Sequence, residues 1–418
     1  MSIRKYFKTG VLALAMYSLP GIAKAQLDTL QRVVANRTNK AGQLAKPYVV
    51  LISADGFRWD YAKKYHAENL LRLSGEGGAA QAMIPSFPAS THANHFALVS
   101  GLYPAHSGIV GNAFYDANRK QMFKASDGTF FGEEPIWVTA EKQGMLTASF
   151  YYIDTQAPIK GIRPTYSYRP NTGKEIFVKD RVNALKRWLA LPGDKRPHFI
   201  ACYFPNTDHA GHSHGPDSKE VADAVQFVDD AVGQMVVTAK ESGLPVNFIF
   251  VSDHGMTPID PRPLAIPKSI DTSRFVCVVQ GNYVCVHAKQ QADIMPMYKQ
   301  LKAENAPGFD VKLKKELPAY DHFSPTDDKY NRIGDIMLMA HYNQVFADRA
   351  PKGAHGFSAY EVKDNQAVFY AWGPAFKPHV QIPAFENVEV YDLMTSILGI
   401  DGLKNDGKGT LAKQILKQ

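Results

Sequence analysis

Residues 246–255 read VNFIFVSDHG, an apolar run that stops at an aspartate, a histidine and a glycine. Two earlier runs have the same form: Tyr48–Ser53 is followed by Asp55, and Phe199–Phe204 is followed by Asp208. Apolar runs without alternation predict strands buried on both faces, which are typical of a parallel sheet covered by helices on each side.

Further elements alternate with these runs along the chain. Two more strands are predicted over Ile336–Ala340 and Ala367–Trp372, and apolar positions that return every three or four residues predict helices over Thr91–Ser100, Lys179–Leu191, Ser218–Ser242 and Val390–Leu398. The pattern predicts an α/β fold with a central, mostly parallel sheet sandwiched by helices. Functional groups of such folds gather at the carboxyl edge of the sheet, in the loops that follow the strands.

The composition is that of a globular enzyme. Of the 418 residues, 45% are hydrophobic and 21% are charged, which excludes a disordered chain and a multi-span membrane protein. The first 25 residues hold four basic residues and no acidic one, so their removal takes the formal net charge from +7 to +3. The chain also lacks the basic runs that line nucleic-acid grooves, so no nucleic-acid partner is expected.

The first 25 residues predict a cleavable export signal. A basic start is followed by a mostly apolar run from Val11 to Ala23, and Ala23-Lys24-Ala25 has the small-x-small form of a cleavage site. We therefore expect cleavage after Ala25 and a periplasmic or secreted protein. The alternative is a transmembrane anchor, but the run is shorter than the roughly 20 residues needed to span a bilayer, and Pro20 interrupts it.

Aspartate and histidine residues follow three of the predicted strands, and a later loop adds one more histidine. They are Asp55, Asp208, His212, Asp253, His254 and His355. Carboxylate oxygens and neutral imidazoles are ligands of zinc. Each residue alone could be a helix cap, a turn residue or a surface residue. Together, at successive ends of neighbouring strands, they predict a metal centre.

Thr91 is the candidate nucleophile. It lies where a loop rich in proline, residues 85–90, meets the predicted helix Thr91–Ser100. A hydroxyl at a helix N-terminus is surrounded by unpaired N–H groups at the positive end of the helix dipole, a setting that favours phosphate and developing negative charge. The alternative is that Thr91 or Ser90 only caps the helix.

Taken in order, these motifs resemble the nucleotide pyrophosphatase/phosphodiesterase family of the alkaline phosphatase superfamily. The resemblance rests on Asp55, SFPASTHANH at 86–95, SGLYPAHSGIVGN at 100–112, Asp208 with His212, Asp253-His254-Gly255, and Gly353 with His355-Gly356. It spans Tyr48 to Trp372 and implies an alkaline-phosphatase-like fold with inserted lid segments. Residues 26–418 are accordingly expected to form a single catalytic domain, with substrate-side insertions around 113–180 and 258–350.

The resemblance also implies two zinc ions and a role for each site residue. One zinc would be held by Asp55, Thr91, Asp253 and His254, and the other by Asp208, His212 and His355. Thr91 would attack phosphorus and form a covalent phospho-threonine that water then hydrolyses. Asn112, with the backbone N–H of Thr91, would hold a non-bridging oxygen. The implied partner is a small-molecule phosphate ester. No stable membrane anchor is expected, because the N-terminal apolar run is too short to span a bilayer.

The sequence departs from the family beside the nucleophile. His92 and Ala93 replace an aromatic residue and a proline, and the aromatic residue commonly stacks on a nucleobase. The substrate pocket is therefore predicted to be remodelled, with His92 and Tyr166 as candidate substrate contacts. Monoesterases of the superfamily place an extra Arg or Lys on the doubly charged phosphate. Lys160 and Arg163 are not clear equivalents, so diesters are favoured over monoesters.

Three questions stay open at this point. The start of a sulfatase signature is present in Ser86–Ser90, but the arginine that should follow it is Thr91. A non-catalytic binding protein on the same scaffold is the other alternative. Cys277 and Cys285 flank a predicted turn between two short strands, where either a cross-strand disulfide or two free thiols would fit.

Overall fold

The computed structural model describes residues 31–168 and 176–417. The predicted export signal, residues 1–25, lies outside the described residues. Among the helices that are described, none combines the length and the apolar character needed to cross a membrane.

The longer strands form two sheets. In chain order they are β1 (Gln31–Val33), β2 (Tyr48–Ala54), β3 (Gly78–Ala80), β4 (Thr147–Phe150), β5 (Tyr166–Tyr168), β6 (Phe199–Phe204), β7 (Val246–Val251), β8 (Phe275–Val279), β9 (Tyr283–Ala288), β10 (Phe309–Leu313), β11 (Ile336–Ala340), β12 (Phe369–Trp372) and β13 (Val380–Ile382). Strands of two residues pair as Met83–Ile84 with Phe385–Glu386, Tyr115–Asp116 with Gln121–Met122, and Thr257–Pro258 with Gly353–Ala354.

The central sheet has nine strands in the order β1-β5-β4-β6-β2-β7-β12-β3-β13. The five strands from β5 to β7 in this order run parallel, whereas β1 and β12 are antiparallel to their neighbours in that block. All seven residues of β2 are buried. Val49 and Leu51 contact the core on one face, and Val50 and Ile52 contact the core on the other. Burial on both faces explains the continuous apolar run, since each such side chain contributes about 1.5–3 kcal/mol.

The described residues form eleven helices, most of which cover the two faces of this sheet. They are α1 (Tyr61–Lys64), α2 (Glu68–Glu76), α3 (Thr91–Ser100), α4 (Pro104–Ser107), α5 (Ile136–Lys142), α6 (Val178–Leu189), α7 (Asn206–His214), α8 (Lys219–Glu241), α9 (Ile294–Glu304), α10 (Glu389–Leu398) and α11 (Thr410–Ile415). Short 3-10 turns lie at Ala41–Gln43, Gly128–Phe130, Gln291–Asp293, Lys314–Glu316, Ala319–Asp321 and Lys363–Asn365. Helices α3, α5 and α10 pack on one face, and α2, α6 and α8 pack on the other. The predicted mostly parallel α/β sandwich is confirmed.

The second sheet is antiparallel, in the order β8-β9-β11-β10, and α9 packs against it. Its strands all lie within 258–350, one of the two stretches expected as substrate-side insertions. The other stretch, 113–180, contains β4 and β5 of the central sheet, so only part of it lies outside that sheet. Ile336–Ala340, predicted as a strand of the parallel sheet, is β11 of this second sheet instead.

The two cysteines of the second sheet are free thiols. Cys277 on β8 pairs with Val286, and Cys285 on β9 pairs with Val278. Because successive side chains of a strand point to opposite faces, the two sulfur atoms lie on opposite faces of the hairpin. Of the two alternatives that the sequence left open, the structure has the free thiols.

Candidate active site

The candidate site lies where β6, β2 and β7 end. These strands are neighbours and parallel, so their carboxyl ends reach the same edge of the sheet. Asp55 follows β2, Asp253 follows β7, and Asp208 lies on α7, which begins two residues after β6. Gly56, the residue after Asp55, lets the loop that follows β2 approach α7 closely. Its φ is +66°, and a Cβ there would lie 2.9 Å from the Cα of Asp208.

The first cluster consists of Asp55, Asp253 and His254, whose potential ligand atoms all lie within 4.8 Å of one another. His254 Nε2 lies 2.9 Å from Asp253 Oδ2 and 3.5 Å from Asp55 Oδ1. Thr91 Oγ1 lies 3.4 Å from the same nitrogen. The candidate nucleophile is therefore in direct reach of the first cluster.

The second cluster consists of Asp208, His212 and His355. Asp208 Oδ1 lies 3.2 Å from His212 Nε2 and 3.7 Å from His355 Nε2, and the two imidazole nitrogens are 3.2 Å apart. His254 is close to this cluster too, because its ring stacks on that of His355 with centroids 3.5 Å apart. Asp208, His254 and His355 also form a group within 4.8 Å. The two clusters are contiguous, and His254 borders both.

All three histidines present the same nitrogen to the clusters. Their Nδ1 atoms lie 2.8 to 2.9 Å from backbone carbonyl oxygens: His212 contacts Gly353, His254 contacts Gly255, and His355 contacts Ala89. A carbonyl oxygen can only accept, so Nδ1 carries a proton. In the neutral ring, which is the form that binds a metal, Nε2 is then a bare acceptor. This orientation is typical of metal-binding histidines.

Buried acceptors in the two clusters have no donor among the residues that the structure describes. Asp55 Oδ1, Asp208 Oδ1 and Asp253 Oδ2 are buried and have no hydrogen-bond partner in the described part of the chain. Burial and the charges of Asp253 and Asp208 raise the pKa of Asp55. Burial and the neighbouring His254 and His212 lower the pKa of His355 to about 3, so this imidazole is neutral at neutral pH. Unpaired carboxylate oxygens facing bare imidazole nitrogens fit divalent metal ions of the zinc type.

Residues that the sequence analysis missed hold the carboxylates in place. The Tyr203 hydroxyl donates to Asp55 Oδ2 over 2.6 Å, and the Ser252 hydroxyl donates to Asp253 Oδ1 over 3.1 Å. His95 Nδ1 lies 2.9 Å from the Thr91 carbonyl oxygen and 3.3 Å from Asp253 Oδ2. The only sequence signal for Tyr203 and Ser252 is a polar group at the carboxyl end of an otherwise apolar strand.

Thr91 is the first residue of α3, and the loop before it is fixed by a buried asparagine. Asn94 donates to the carbonyl oxygens of Pro88 and Ser90 over 2.8 and 3.1 Å, and its own Oδ1 accepts from Asn387 over 2.8 Å. Ser90 has extended backbone at the N-cap, and within residues 31–168 and 176–417 its side chain makes no capping bond. The Ser90 side chain therefore does not cap α3.

Asn112 and His92 lie next to the nucleophile and contact each other. The His92 backbone N–H donates to Asn112 Oδ1 over 2.9 Å. The His92 ring lies 2.8 Å from Asp154 Oδ1 through Nδ1 and packs edge-on against Phe123. Burial opposes the charged imidazolium, but the Asp154 carboxylate outweighs it and raises the pKa of His92.

Tyr166 is not part of this site. Its hydroxyl donates to the carbonyl oxygen of Lys195 over 2.9 Å, and Lys195 lies shortly before β6 begins. Tyr166 is thus at the amino edge of the sheet, opposite the clusters. Two residues further along the same strand, roughly 6.6 Å, Tyr168 does line the cavity beside the site.

Two openings flank the start of α3. A cavity of about 610 Å³ is lined by His92, Asp154, Tyr203 and the aromatic rings of Tyr151, Tyr152 and Tyr168. A smaller cleft of about 230 Å³ is lined by Ser90, Asn112, His355 and the turn between β8 and β9. The residue before Thr91 borders the cleft and the residue after it borders the cavity.

The chain matches the family model described as type I phosphodiesterase/nucleotide pyrophosphatase over residues 49–361. It is 32% identical over 387 residues to venom phosphodiesterase 2 of Crotalus adamanteus, covering 88% of this chain and 47% of the relative. It is 31% identical to human ectonucleotide pyrophosphatase/phosphodiesterase family member 1, covering 89% of this chain and 42% of the relative. The chain spans less than half the length of these two relatives. An uncharacterized pyrophosphatase/phosphodiesterase of Schizosaccharomyces pombe is 30% identical to this chain, with 90% of this chain and 81% of the relative covered.

Solved structures of relatives have the same fold. Murine ectonucleotide pyrophosphatase/phosphodiesterase 5 superposes with a TM-score of 0.81 at 25% identity, covering 88% of this chain and 100% of that one. An inactive threonine-to-alanine variant of the murine protein, solved in complex with AMP, gives a TM-score of 0.80 with the same identity and coverage. The strand-end clusters, the fold and these similarities agree, and the chain belongs to the type I phosphodiesterase/nucleotide pyrophosphatase family of hydrolases, in the alkaline phosphatase superfamily.

Proposed function

We propose that this protein is an exported two-zinc phosphodiesterase that cleaves small-molecule phosphate esters through a covalent intermediate on Thr91. The observation that carries the proposal is the position of Thr91 Oγ1, 3.4 Å from His254 Nε2 at the start of α3. Contiguous carboxylate and imidazole clusters lie directly beside it. The relative that is inactive after a threonine-to-alanine change supports a catalytic threonine in this family.

In this proposal Asp55, Thr91, Asp253 and His254 hold one zinc ion, and Asp208, His212 and His355 hold the other. The unpartnered carboxylate oxygens and the bare Nε2 atoms support this assignment. Bound zinc supplies positive charge that acidifies a nearby hydroxyl and stabilises phosphoryl oxygens. His254 borders both clusters, so its loss should weaken both sites.

Thr91 Oγ1 loses its proton to solvent and forms the new bond to phosphorus, while the bond from phosphorus to the leaving alcohol oxygen breaks. The leaving oxygen takes a proton from water. A water molecule then attacks phosphorus, the bond to Oγ1 breaks, and Thr91 regains its hydroxyl. The net reaction converts a diester and water into a monoester and an alcohol.

Asn112 and the backbone N–H of Thr91 hold a non-bridging oxygen in this proposal. The Asn112 carbonyl oxygen already accepts from the His92 N–H, which leaves the amide NH₂ group to donate to the phosphoryl group. A diester carries one charge fewer than a monoester, so a neutral amide suffices to hold it. This favours diesters over monoesters as substrates.

The retained ester group occupies the 610 Å³ cavity in this proposal. A nucleotide-like group is supported by the AMP complex of the murine relative. His92, tied to Asp154, stands where the family commonly has an aromatic residue, so it contacts this group by hydrogen bonding rather than by stacking.

We also propose that residues 26–418 form the exported catalytic domain, released by cleavage after Ala25 into the periplasm or the medium. The similarity to venom phosphodiesterases supports an exported protein. Mass spectrometry of the protein purified from its host tests this: an N-terminus at Gln26 is expected, and an intact Met1 would refute export with cleavage.

The experiment that tests the function compares bis-p-nitrophenyl phosphate, p-nitrophenyl phosphate and a dinucleotide as substrates of the zinc-loaded protein. We expect the highest kcat/KM among the diesters, and at least a roughly 10³-fold loss for Thr91→Ala. Thr91→Ser, which keeps a hydroxyl, is the matched control and should retain part of the activity. A higher kcat/KM for the monoester would overturn the diester preference, and full activity of Thr91→Ala would overturn the mechanism.

A further inference from the structure

We infer that the turn between β8 and β9 forms the subsite for the leaving alcohol, and that Asn282 in this turn selects alcohols carrying a second hydroxyl group. The inference rests on the proposed function, since a leaving group exists only if an ester is cleaved. It concerns the second sheet, to which the proposed function assigns no role.

The turn reaches the loop that carries Asn112. The Gln280 side chain donates to the carbonyl oxygen of Ala113, and the Tyr283 hydroxyl donates to that of Val110 over 3.3 Å. The residues on both sides of Asn112 are therefore held by the hairpin. Two hydrogen bonds thus attach the second sheet to the loop that carries Asn112.

Asn282, in the middle of this contact, is a buried residue whose amide oxygen makes no hydrogen bond within the described residues. It is 2% exposed, and its Oδ1 has no partner among the described residues. The amide packs against Gly356, the residue after His355: a Cβ at Gly356 would lie 2.3 Å from Asn282 Oδ1, and Gly356 has a φ of +105°. Buried polar groups are rarely left unpaired, because desolvation without a new bond is costly.

The cleft that Asn282 lines leads to the reacting residues. Its other lining residues include Ser90, Asn112 and His355, and Ser90 Oγ is a second buried polar atom without a partner in residues 31–168 and 176–417. Asn282 also borders a cavity of about 270 Å³, but neither Thr91 nor any of the proposed metal ligands lines that cavity. Of these two openings among the described residues, the cleft is the one that connects the Asn282 amide oxygen with the site of bond cleavage.

We assign the cleft to the leaving-group side because it contains His355 of the second cluster, whereas Thr91 contacts His254 of the first. In an in-line displacement the attacking and leaving oxygens lie on opposite sides of phosphorus, so a two-metal site would place one cluster at each of them. Its volume of about 230 Å³ is below the 300–1,000 Å³ typical of pockets for drug-sized ligands, which suits an alcohol of a few heavy atoms. An amide oxygen accepts hydrogen bonds, and a serine hydroxyl both accepts and donates. The geometry thus points to a small diol or polyol as the leaving alcohol, with the larger ester group in the 610 Å³ cavity.

The test uses two esters of AMP that differ in one atom of the alcohol, the 2-hydroxyethyl ester and the n-propyl ester. The ratio of kcat/KM for the hydroxyethyl ester to kcat/KM for the propyl ester should be roughly tenfold higher in wild type than in Asn282→Ala. Differences in leaving-group reactivity are the same for both enzymes and cancel in this comparison. Val279→Ala is the matched control, because Val279 lines the same cleft without a polar group and should keep the wild-type preference.

A second readout does not need turnover. Isothermal titration calorimetry with zinc-loaded Thr91→Ala should give a tighter Kd for the hydroxyethyl ester than for the propyl ester, and Asn282→Leu in the Thr91→Ala background should abolish the difference. Asn282→Leu keeps the side-chain volume and covers the case in which Asn282→Ala fails to fold. Because the amide oxygen of Asn282 has no partner within residues 31–168 and 176–417, Asn282→Leu should not lower Tm.

The outcomes separate the inference from the proposed function. An equal loss for both esters in Asn282→Ala, or an unchanged preference, would show a structural role and overturn the inference. Hydrolysis of both esters with no hydroxyl preference in either readout also overturns it, while the proposed function survives. Preferential binding of the hydroxyethyl ester without hydrolysis by wild type would refute the function and the leaving-group assignment with it, and would show only that Asn282 binds a hydroxyl group.

Discussion

The hydroxyl of Tyr203 is expected to strengthen zinc binding without touching zinc. It donates to Asp55 Oδ2 over 2.6 Å, and the same carboxylate presents its other oxygen, unpartnered among the described residues, to the first cluster. Tyr203→Phe removes this donor and keeps the ring, which packs edge-on against His95 with centroids 5.4 Å apart. The substitution therefore tests one hydrogen bond rather than the packing of the site.

The size of the effect follows from the type of bond. A hydrogen bond to a charged group contributes about 1.5–3 kcal/mol, and removing a contact to a metal ligand lowers affinity about 10- to 100-fold. The second range corresponds to about 1.4–2.7 kcal/mol, so the two figures agree. We expect Tyr203→Phe to bind the zinc ion of the first cluster, which contains Asp55, with a Kd raised by at least about tenfold.

The assay is competition for zinc with a fluorescent chelator at pH 7.5. Tyr166→Phe is the matched control, because it loses a hydroxyl that donates to the Lys195 carbonyl oxygen at the opposite edge of the sheet. Its zinc affinity should equal that of wild type. An unchanged Kd for Tyr203→Phe, or an equal loss in Tyr166→Phe, would refute the reasoning.

Three further predictions concern stability and thiol chemistry. Arg332 is 3% exposed and donates to Asp116 Oδ2 and to the carbonyl oxygens of Gly108 and Phe130. Arg332→Leu should therefore lower the free energy of unfolding by about 3–5 kcal/mol. An unchanged urea midpoint would contradict this prediction. Burial lowers the pKa of the folded-state His287 imidazole to about 4, whereas in the unfolded chain it takes up a proton below about pH 6.5. The free energy of unfolding should therefore decrease as the pH is lowered from about 6.5 to 4. Between pH 7.5 and pH 5 wild type should lose about 2 kcal/mol more than His287→Phe, and parallel urea curves for the two would refute it. All three cysteines should react with a thiol reagent in the denatured, unreduced protein; only one reactive thiol would indicate a Cys277–Cys285 disulfide.

The sequence predicted the central strands because burial on both faces leaves a continuous apolar run, and β2, β6 and β7 begin where the runs begin. It also predicted which aspartates and histidines come together, because parallel strands bring their carboxyl ends to one edge. The same reasoning misassigned Ile336–Ala340. A short apolar run looks the same in a parallel sheet and in a small antiparallel sheet.

Other features depended on partners that are distant in sequence. Tyr203 supports Asp55 across 148 residues, and His92 meets Asp154 across 62, and neither spacing has a local signature. Tyr166 was predicted in the substrate pocket, but two residues along a strand separate it from Tyr168, which lines the cavity. The unpaired amide of Asn282 appears only when the hairpin is folded onto the catalytic loops.

The most direct test of the central claim is to capture the covalent intermediate on Thr91. Zinc-loaded protein turning over bis-p-nitrophenyl phosphate would be quenched in acid within the first turnover, digested and analysed by mass spectrometry. We predict a p-nitrophenyl phosphoryl group on Thr91 in the peptide that spans the start of α3. An unmodified Thr91 peptide at a time when p-nitrophenol has been released stoichiometrically would contradict the account.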